Sequence, residues 1–82
     1  MAVVRYWAAA RAAAGVAEER YDAPTLGAAI SAAVAAHGAA LERVLGVCSF
    51  LVDGQPVGTR DRNAIELAAD SVVEALPPFA GG

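Results

Sequence analysis

The sequence predicts an α+β fold in which a mixed β-sheet packs on one main helix. Apolar residues recur every four positions at Leu26, Ile30 and Val34, as on one face of a helix. Runs of β-branched and aromatic residues near both ends and in the middle of the chain indicate strands. Asp53-Gly54 is a strong signal for a two-residue hairpin turn. A chain of 82 residues has room for one such two-layer domain.

The first part of the chain predicts a strand, a short helix and a second strand. Residues 3–8, "VVRYWA", are β-branched and aromatic and indicate a strand. The alanines of residues 8–15, "AAARAAAG", favour a helix that ends at Gly15, because glycine adopts the left-handed conformation that commonly follows a helix. Residues 18–23, "EERYDA", are polar and predict an edge strand.

The main helix is predicted to begin after Pro24, with Thr25 as its N-cap, and to end at His37-Gly38. Outside the apolar stripe its residues are mostly alanine, so the helix can lie close to the sheet. We expect His37 to interact favourably with the dipole at the helix C-terminus rather than to bind a metal.

The second half of the chain predicts a short helix, a hairpin and a final strand. Residues 40–46, "ALERVLG", favour a helical turn, and residues 47–52, "VCSFLV", favour a strand that continues through the hairpin turn into "QPV". Residues 58–63, "GTRDRN", predict a solvated loop. A turn at Asp70-Ser71 leads into the last strand, residues 72–76, "VVEAL".

Composition and charge argue against several classes of function. The formal net charge is −3 and the pI is about 4.8, whereas nucleic-acid binding requires a basic surface. All six basic residues are arginine, so the chain offers no lysine for a Schiff base or an isopeptide bond. No apolar run is long enough to span a membrane. The N-terminal small residues resemble the cleavage site of a leader peptide, but Arg5 and Arg11 interrupt the apolar run that a leader requires. We expect a cytoplasmic protein.

The usual catalytic residues are scarce. A single cysteine, Cys48, permits no internal disulfide, and the single histidine forms no familiar metal-binding spacing with it. None of the three serines has the glycines of a nucleophile elbow. We expect Cys48 to be a small core residue, although a thiol that receives sulfur is the alternative.

Strand alternation indicates a binding surface at the end of the first strand. If Tyr6 faces the core, Arg5 and Trp7 lie on the opposite face. An exposed aromatic residue beside an arginine is typical of a hot spot in a protein interface. The alternative is that Trp7 covers a thin, alanine-rich core.

The last residues, "LPPFAGG", have the composition of a projecting arm. Pro77-Pro78 terminates the last strand and favours the extended polyproline II conformation. The six residues that follow Leu76 span roughly 20 Å when extended. Gly81 and Gly82 have no Cβ atom and can pass through a narrow channel, which leaves the α-carboxylate of Gly82 as the reactive group.

The chain resembles the molybdopterin synthase small subunit family of ubiquitin-like sulfur carriers over essentially its full length. The resemblance lies in "YWAAARAAAG", in "LVDGQPV" and, most specifically, in "LAADSVVEALPPFAGG" with its terminal PP-x-x-GG pattern. It implies a β-grasp domain over residues 1–76 and a projecting tail over residues 77–82. Three positions depart from the family pattern: Asp70 stands where glycine is usual, Leu76 where an aromatic is common, and Phe79 where a small aliphatic is common.

The resemblance also implies a mechanism. An E1-like adenylyltransferase would consume ATP to adenylate Gly82, sulfur would displace AMP, and a thiocarboxylate would result. The tail would then enter the large catalytic subunit of molybdopterin synthase and donate sulfur to cyclic pyranopterin monophosphate. Gly82 would carry the sulfur, the chain itself would bind no cofactor, and catalytic side chains would belong to the partners. The implied partner-binding residues are Pro77, Pro78, Phe79, Ala80 and Gly81 of the tail, to which strand alternation adds Arg5 and Trp7.

Two other functions remain open at this point. The helical stretch "TLGAAISAAVAAHGAALERVL" is similar to that of carriers that supply sulfur for cysteine biosynthesis. The same tail also suits a ubiquitin-like protein modifier or an interaction module. A sulfurtransferase that uses Cys48 is the least favoured reading.

Overall fold

The computed structural model describes residues 1–78 of the chain. Five strands, three α-helices and one short 3₁₀ helix follow one another within this range. In chain order they are β1 (Ala2–Tyr6), α1 (Ala8–Ala14), β2 (Glu18–Tyr21), α2 (Leu26–His37), α3 (Ala39–Leu45), β3 (Ser49–Val52), β4 (Gln55–Pro56), the 3₁₀ helix (Arg62–Ala64) and β5 (Val72–Leu76).

The strands form one mixed sheet in the order β2-β1-β5-β3-β4. The central pair, β1 and β5, is parallel, and the other neighbours are antiparallel. The first and last strands therefore lie side by side in the middle of the sheet, with α1, β2, α2 and α3 in the connection between them. This is the β-grasp arrangement, and it confirms the predicted α+β class and the predicted edge strand β2.

One face of the sheet is buried beneath the helices. Strand alternation directs Val4 and Tyr6 of β1 and Val73 and Ala75 of β5 to this side. The core cluster around them also contains Phe50. The helices contribute the remaining large core residues, which are Leu26, Leu41 and Leu45.

The main helix α2 starts and ends as predicted, but a different face is buried. The Thr25 hydroxyl accepts a hydrogen bond from the amide of Ala28 at 3.1 Å, as an N-cap does. Buried positions on the helix are Leu26, Ala29 and Ala33. Ile30 and Val34, which the stripe placed in the core, are only partly buried. A step of four residues rotates about 40° beyond a full turn, so the stripe winds away from the sheet.

Local signals for turns were accurate. Gly15 follows α1 with φ 79°, and both hairpin residues have positive φ, 51° at Asp53 and 80° at Gly54, as a type I′ turn requires. The Asp53 carboxylate accepts a hydrogen bond from the amide of Val72 at 2.8 Å and so joins the hairpin to β5.

Three predicted boundaries were wrong by a few residues. β1 ends at Tyr6 because the chain enters α1 directly after Trp7. β3 begins at Ser49 rather than at residue 47, because the amides of Val47 and Cys48 donate to carbonyls of the preceding helical turn. The predicted loop over residues 58–63 runs into the 3₁₀ helix, where the guanidinium of Arg62 lies 4.6 Å from the centre of the Phe50 ring.

Candidate functional site

The tail leaves the domain from the middle of the sheet. β5 ends at Leu76, which is paired with Ser49 of β3, while the amide of Trp7 donates to the carbonyl of Ala75 at 3.2 Å. Pro77 is buried and Pro78 is exposed. We call this place the tail exit. It lies where β5 ends, with residues from the end of β1 on one side and from the start of β3 on the other.

Trp7 and Arg5 point away from the core, as alternation predicted. Tyr6 is 2% exposed, whereas Trp7 is 48% exposed and Arg5 is also exposed. Trp7 is the N-cap position of α1, and Ala8 after it has a φ of 48°. About half of the Trp7 surface is therefore exposed at this sharp junction, as a partner-binding residue requires.

The sheet face opposite the core combines charged and apolar side chains. Register places Arg5 between Glu18 on β2 and Glu74 on β5, and Leu51 of β3 lies beyond Glu74. Arg5 Nε is 3.5 Å from Glu18 Oε1, and both side chains are about half exposed. The partly buried residues Val3, Val72 and Leu76 lie on this same face. We call it the outer sheet face.

A cavity at Arg5 and Trp7 brings in four residues that sequence reasoning did not assign to the site, of which Arg11 is the charged residue from α1. It measures about 220 Å³ and is lined by Arg5, Tyr6, Trp7, Arg11, Ala17 and Glu18. We call it the Trp7 pocket. Arg11 comes from the last turn of α1 and is exposed. The sequence did show Arg11 as the one charged residue of the alanine helix α1, but the direction of its side chain depends on how α1 packs.

A second polar group lies on the other side of the same strands. Three side chains meet a single carboxylate oxygen, Oε1 of Glu19. The hydroxyls of Tyr6 and Tyr21 donate to it at 3.0 and 2.7 Å, and Nε2 of His37 lies 2.6 Å from it. We call these four residues the Glu19 cluster. It joins β1, β2 and the C-terminal residue of α2.

The Glu19 cluster adds a partner that the prediction for His37 did not include. The residue lies in the last turn of α2, as predicted, and its ring is also paired with the Glu19 carboxylate. Alternation along β2 puts Glu19 and Tyr21 on one side of the strand, whereas their meeting with His37 depends on tertiary packing. His37 therefore takes part in a hydrogen-bond network within the domain.

The cluster changes the acidity of its members. Burial alone would raise the pKa of Glu19, but the hydrogen bonds from Tyr21, His37 and Tyr6 outweigh it and lower the pKa below its ordinary value. Burial, together with the interactions with Glu19, raises the pKa of both Tyr6 and Tyr21. Glu19 is therefore held as a carboxylate and the tyrosines as neutral donors.

Cys48 belongs to the core and not to the surface near the tail. It is 7% exposed, and burial raises the pKa of its thiol. Because the thiolate is the nucleophilic form, both properties oppose reactivity. The structure confirms the interpretation of Cys48 as a small core residue.

Other possible sites contribute little. Within residues 1–78, no group of three or more histidine, cysteine, aspartate or glutamate side chains is arranged to hold a metal ion. Over the same range, no helix has both the length and the apolar character needed to cross a membrane. A larger cavity, about 410 Å³, lies between α2 and α3, away from the tail-exit residues, and Ile30, Val34 and Leu45 contribute its apolar lining.

The structure brings together only part of the predicted site. Arg5 and Trp7 lie close to the end of β5, where Pro77 and Pro78 follow. The predicted sulfur-carrying residue and the rest of the arm lie outside the described residues. These are Phe79, Ala80, Gly81 and Gly82.

Solved structures with the same fold come from archaea and bacteria. The small archaeal modifier protein 1 from Methanosarcina acetivorans matches with a TM-score of 0.85 and 20% identity, over 99% of this chain and 95% of its own. Mycobacterium tuberculosis CysO matches with a TM-score of 0.80 and 21% identity, over 96% of this chain and 100% of its own.

A third structure contains a partner. It is the complex of subunits 1 and 2 of molybdopterin-converting factor from Helicobacter pylori, which matches with a TM-score of 0.67 and 22% identity, over 99% of this chain and 97% of its own. At these identities the three structures establish the shared β-grasp fold.

The sequence itself shows the family. No curated protein sequence matches this chain. The model of the ThiS family, however, matches residues 4–82, from within β1 to the end of the tail. The chain therefore belongs to the ThiS family of ubiquitin-like sulfur carriers.

Proposed function

We propose that this protein is the sulfur-carrying small subunit of a cytoplasmic molybdopterin synthase. Its work would be done by Gly82, whose carboxylate is activated and then converted to a thiocarboxylate. The observation that carries the proposal is the position of the tail. A strand in the centre of a β-grasp sheet, β5, leads directly into Pro77-Pro78 and the terminal Gly81-Gly82.

The chemistry needs two steps on the tail. A Gly82 carboxylate oxygen attacks the α-phosphorus of ATP, so that pyrophosphate leaves and an acyl-adenylate forms. A sulfur nucleophile then attacks the acyl carbon, AMP leaves, and the product is a thiocarboxylate. An E1-like adenylyltransferase would supply the ATP site and the side chains for these steps.

The thiocarboxylate would deliver its sulfur inside the large catalytic subunit. There the sulfur would attack a carbon of cyclic pyranopterin monophosphate and displace an oxygen from it, and water would then cleave the bond between the sulfur and the acyl carbon, which restores the Gly82 carboxylate. The product, molybdopterin, contains a dithiolene group with two sulfur atoms, so each molecule of it requires two tails that carry a thiocarboxylate. The subunit 1 and subunit 2 complex from Helicobacter pylori supports this assembly, because its fold match covers 99% of the present chain.

The outer sheet face and the tail exit suit this role physically. Trp7 is a half-exposed aromatic residue beside the end of β5, and Leu51, Val72 and Leu76 add partly exposed apolar surface. A protein that encloses the tail must also cover this neighbouring surface. Aromatic residues in such a position commonly provide most of the binding energy.

A second candidate is a carrier for a different acceptor. CysO from Mycobacterium tuberculosis and the archaeal modifier protein share the fold at higher TM-scores than the Helicobacter pylori complex does. Sulfur delivery to an activated serine, or attachment of Gly82 to lysines of other proteins, would start from the same acyl-adenylate. The acceptor is what separates these functions.

The test follows the tail peptide by mass spectrometry. The full chain is incubated with ATP, sulfide and the host's E1-like enzyme, and it is then cleaved after arginine. The last peptide begins at Asn63 and contains neither methionine nor cysteine, so a gain in mass cannot come from their oxidation. Replacement of oxygen by sulfur in this peptide is the expected result.

A second stage of the same experiment identifies the acceptor. Addition of the host's large synthase subunit and cyclic pyranopterin monophosphate should return the tail to a carboxylate and yield molybdopterin. Loss of sulfur only when an activated serine and its synthase are added would instead establish the second candidate. An unmodified tail, under conditions that load a known carrier, would contradict both.

A further inference from the structure

We infer that the Trp7 pocket receives an acidic side chain of the protein that takes up the tail. The inference rests on the proposed function in one respect: some protein must bind the tail. It adds a specific docking site and the chemistry of the group that fills it.

The first reason is the pocket's excess of positive charge. Two guanidinium groups, those of Arg5 and Arg11, line it together with one carboxylate, Glu18. Arg5 Nε lies 3.5 Å from Glu18 Oε1. Within residues 1–78, no ion pair involves Arg11. The pocket is therefore locally positive on a chain whose net charge is −3.

The second reason is the pocket's shape and its apolar wall. Its volume of about 220 Å³ accommodates a side chain, and the indole of Trp7 forms part of the lining. An arginine-lined cavity with an aromatic wall suits aspartate or glutamate, because guanidinium groups bind carboxylates with paired hydrogen bonds. The aliphatic part of the same residue can pack on the indole.

The third reason is the pocket's position beside the tail exit. Trp7 is hydrogen-bonded to Ala75, two residues before Pro77. A protein that holds the tail at the end of β5 must therefore pass over or next to Trp7. The domain itself gives Arg11 no ion-pair partner within the described residues, so an acidic group on that protein would be its counterion.

The test compares two arginines that occupy equivalent places in their helices. Arg11 is the basic residue in the last turn of α1, and Arg43 holds that position in α3 without lining the pocket. Binding of the host's E1-like enzyme and of the large synthase subunit is measured by calorimetry. We expect Arg11→Gln to weaken binding to at least one of them roughly tenfold and Arg11→Lys to weaken it less. Arg43→Gln should change binding by less than about twofold.

A direct readout is available because Trp7 is the only tryptophan in the chain. Labelling with 5-fluorotryptophan places one ¹⁹F nucleus in the pocket, and its resonance should shift when the partner binds. In Arg11→Gln at a saturating partner concentration, that shift should be smaller. A merely structural role of Arg11 would instead lower the melting temperature and leave the bound-state shift unchanged.

The remaining outcomes of these experiments either support or overturn the inference. Equal affinity of Arg11→Gln and the unmodified chain for both proteins would overturn the inference. So would a ¹⁹F shift on deletion of Gly81-Gly82 without any partner, since the pocket would then hold the chain's own terminal carboxylate. Failure of the unmodified chain to bind either protein would remove both the inference and the proposed function. An affinity loss in Arg11→Gln without sulfur transfer by the unmodified chain would leave the pocket standing and refute only the proposed function.

Discussion

The Glu19 cluster and the Trp7 pocket are built from the same two strands but handle charge in opposite ways. In the cluster, one carboxylate oxygen has three neighbouring donors. In the pocket, Arg5 pairs with Glu18 at 3.5 Å, Arg11 has no ion pair among residues 1–78, and Trp7 is half exposed. Adjacent residues take different sides: Tyr6 and Glu19 point inwards, while Trp7 and Glu18 point outwards. Strand alternation thus separates charges that maintain the domain from charges left for a partner.

The largest expected effect comes from the arm itself. Under the proposed function, deletion of Gly81-Gly82 should abolish formation of the thiocarboxylate, because the new terminal carboxylate, on Ala80, would lie two residues short of the activating site and would belong to a residue with a Cβ atom. The domain should remain intact, since the core cluster is made of residues from Val4 to Ala75. Tail-peptide mass spectrometry and thermal unfolding check the two halves of this prediction. A large fall in melting temperature would contradict the separation of tail and domain. The control variant is Ala80→Gly, which changes the tail but keeps the terminal glycines.

The next effect tests the inward side of β2. Glu19→Ala leaves two tyrosine hydroxyls and a histidine without their acceptor, and we expect a loss of about 2 kcal/mol in the free energy of unfolding. For a domain of this size, that corresponds to a melting temperature lower by about 8 to 16 °C. The matched control is Glu18→Ala on the outward side, which loses one exposed contact and should cost less than about 0.5 kcal/mol. Equal losses in the two variants would show that the cluster has no special role.

A third comparison exchanges the roles of neighbouring aromatic residues. Trp7→Ala should lower the affinity for the tail-binding partner by at least about tenfold and leave the melting temperature nearly unchanged, because the indole lies outside the core. Tyr6→Phe should do the reverse, with a loss of about 1 kcal/mol in stability and little change in affinity, because the hydroxyl it removes is hydrogen-bonded within the Glu19 cluster and the ring that lines the pocket is kept. Calorimetric titration of both variants measures the affinity, and thermal unfolding measures the stability. Stability loss in Trp7→Ala without affinity loss would place Trp7 with the structural residues.

Features that depend on a few consecutive residues could be predicted from the sequence. The Thr25 cap, the Gly15 terminus and the Asp53-Gly54 turn each follow from local backbone chemistry. The outward direction of Arg5 and Trp7 likewise required only alternation from Tyr6. The described residues confirm all of these.

Features that depend on packing between elements could not be predicted from the sequence. Glu19 is 18 residues from His37 along the chain, and their contact requires both the β1–β2 register and the placement of α2. Arg11 reaches the pocket only because α1 returns over the end of β1. The buried face of α2 was predicted only in part for a related reason: the alanines indicated a close approach to the sheet, but alanine carries no signal strong enough to reveal that Ala29 and Ala33 in particular are fully buried.

The smallest expected effect is the pH dependence of the Glu19 cluster. The folded-state pKa of Glu19 is below its ordinary value of about 4.3, which also describes the unfolded chain. Its charge therefore contributes stability that is fully present above about pH 5, and this contribution is lost as the pH falls through the folded-state pKa.

Glu19→Gln isolates the effect, because glutamine can still accept hydrogen bonds through Oε1 but carries no charge. We expect the unfolding free energy of the unmodified chain to approach that of Glu19→Gln as the pH falls below about 4. Urea unfolding at a series of pH values measures the difference, and repeating it in a His37→Gln background removes the histidine charge from the comparison. A difference that stays constant down to pH 2 would mean that the Glu19 charge does not stabilise the fold. The cluster would then act through hydrogen-bond geometry alone, and the contrast with the Trp7 pocket would be one of burial rather than of charge.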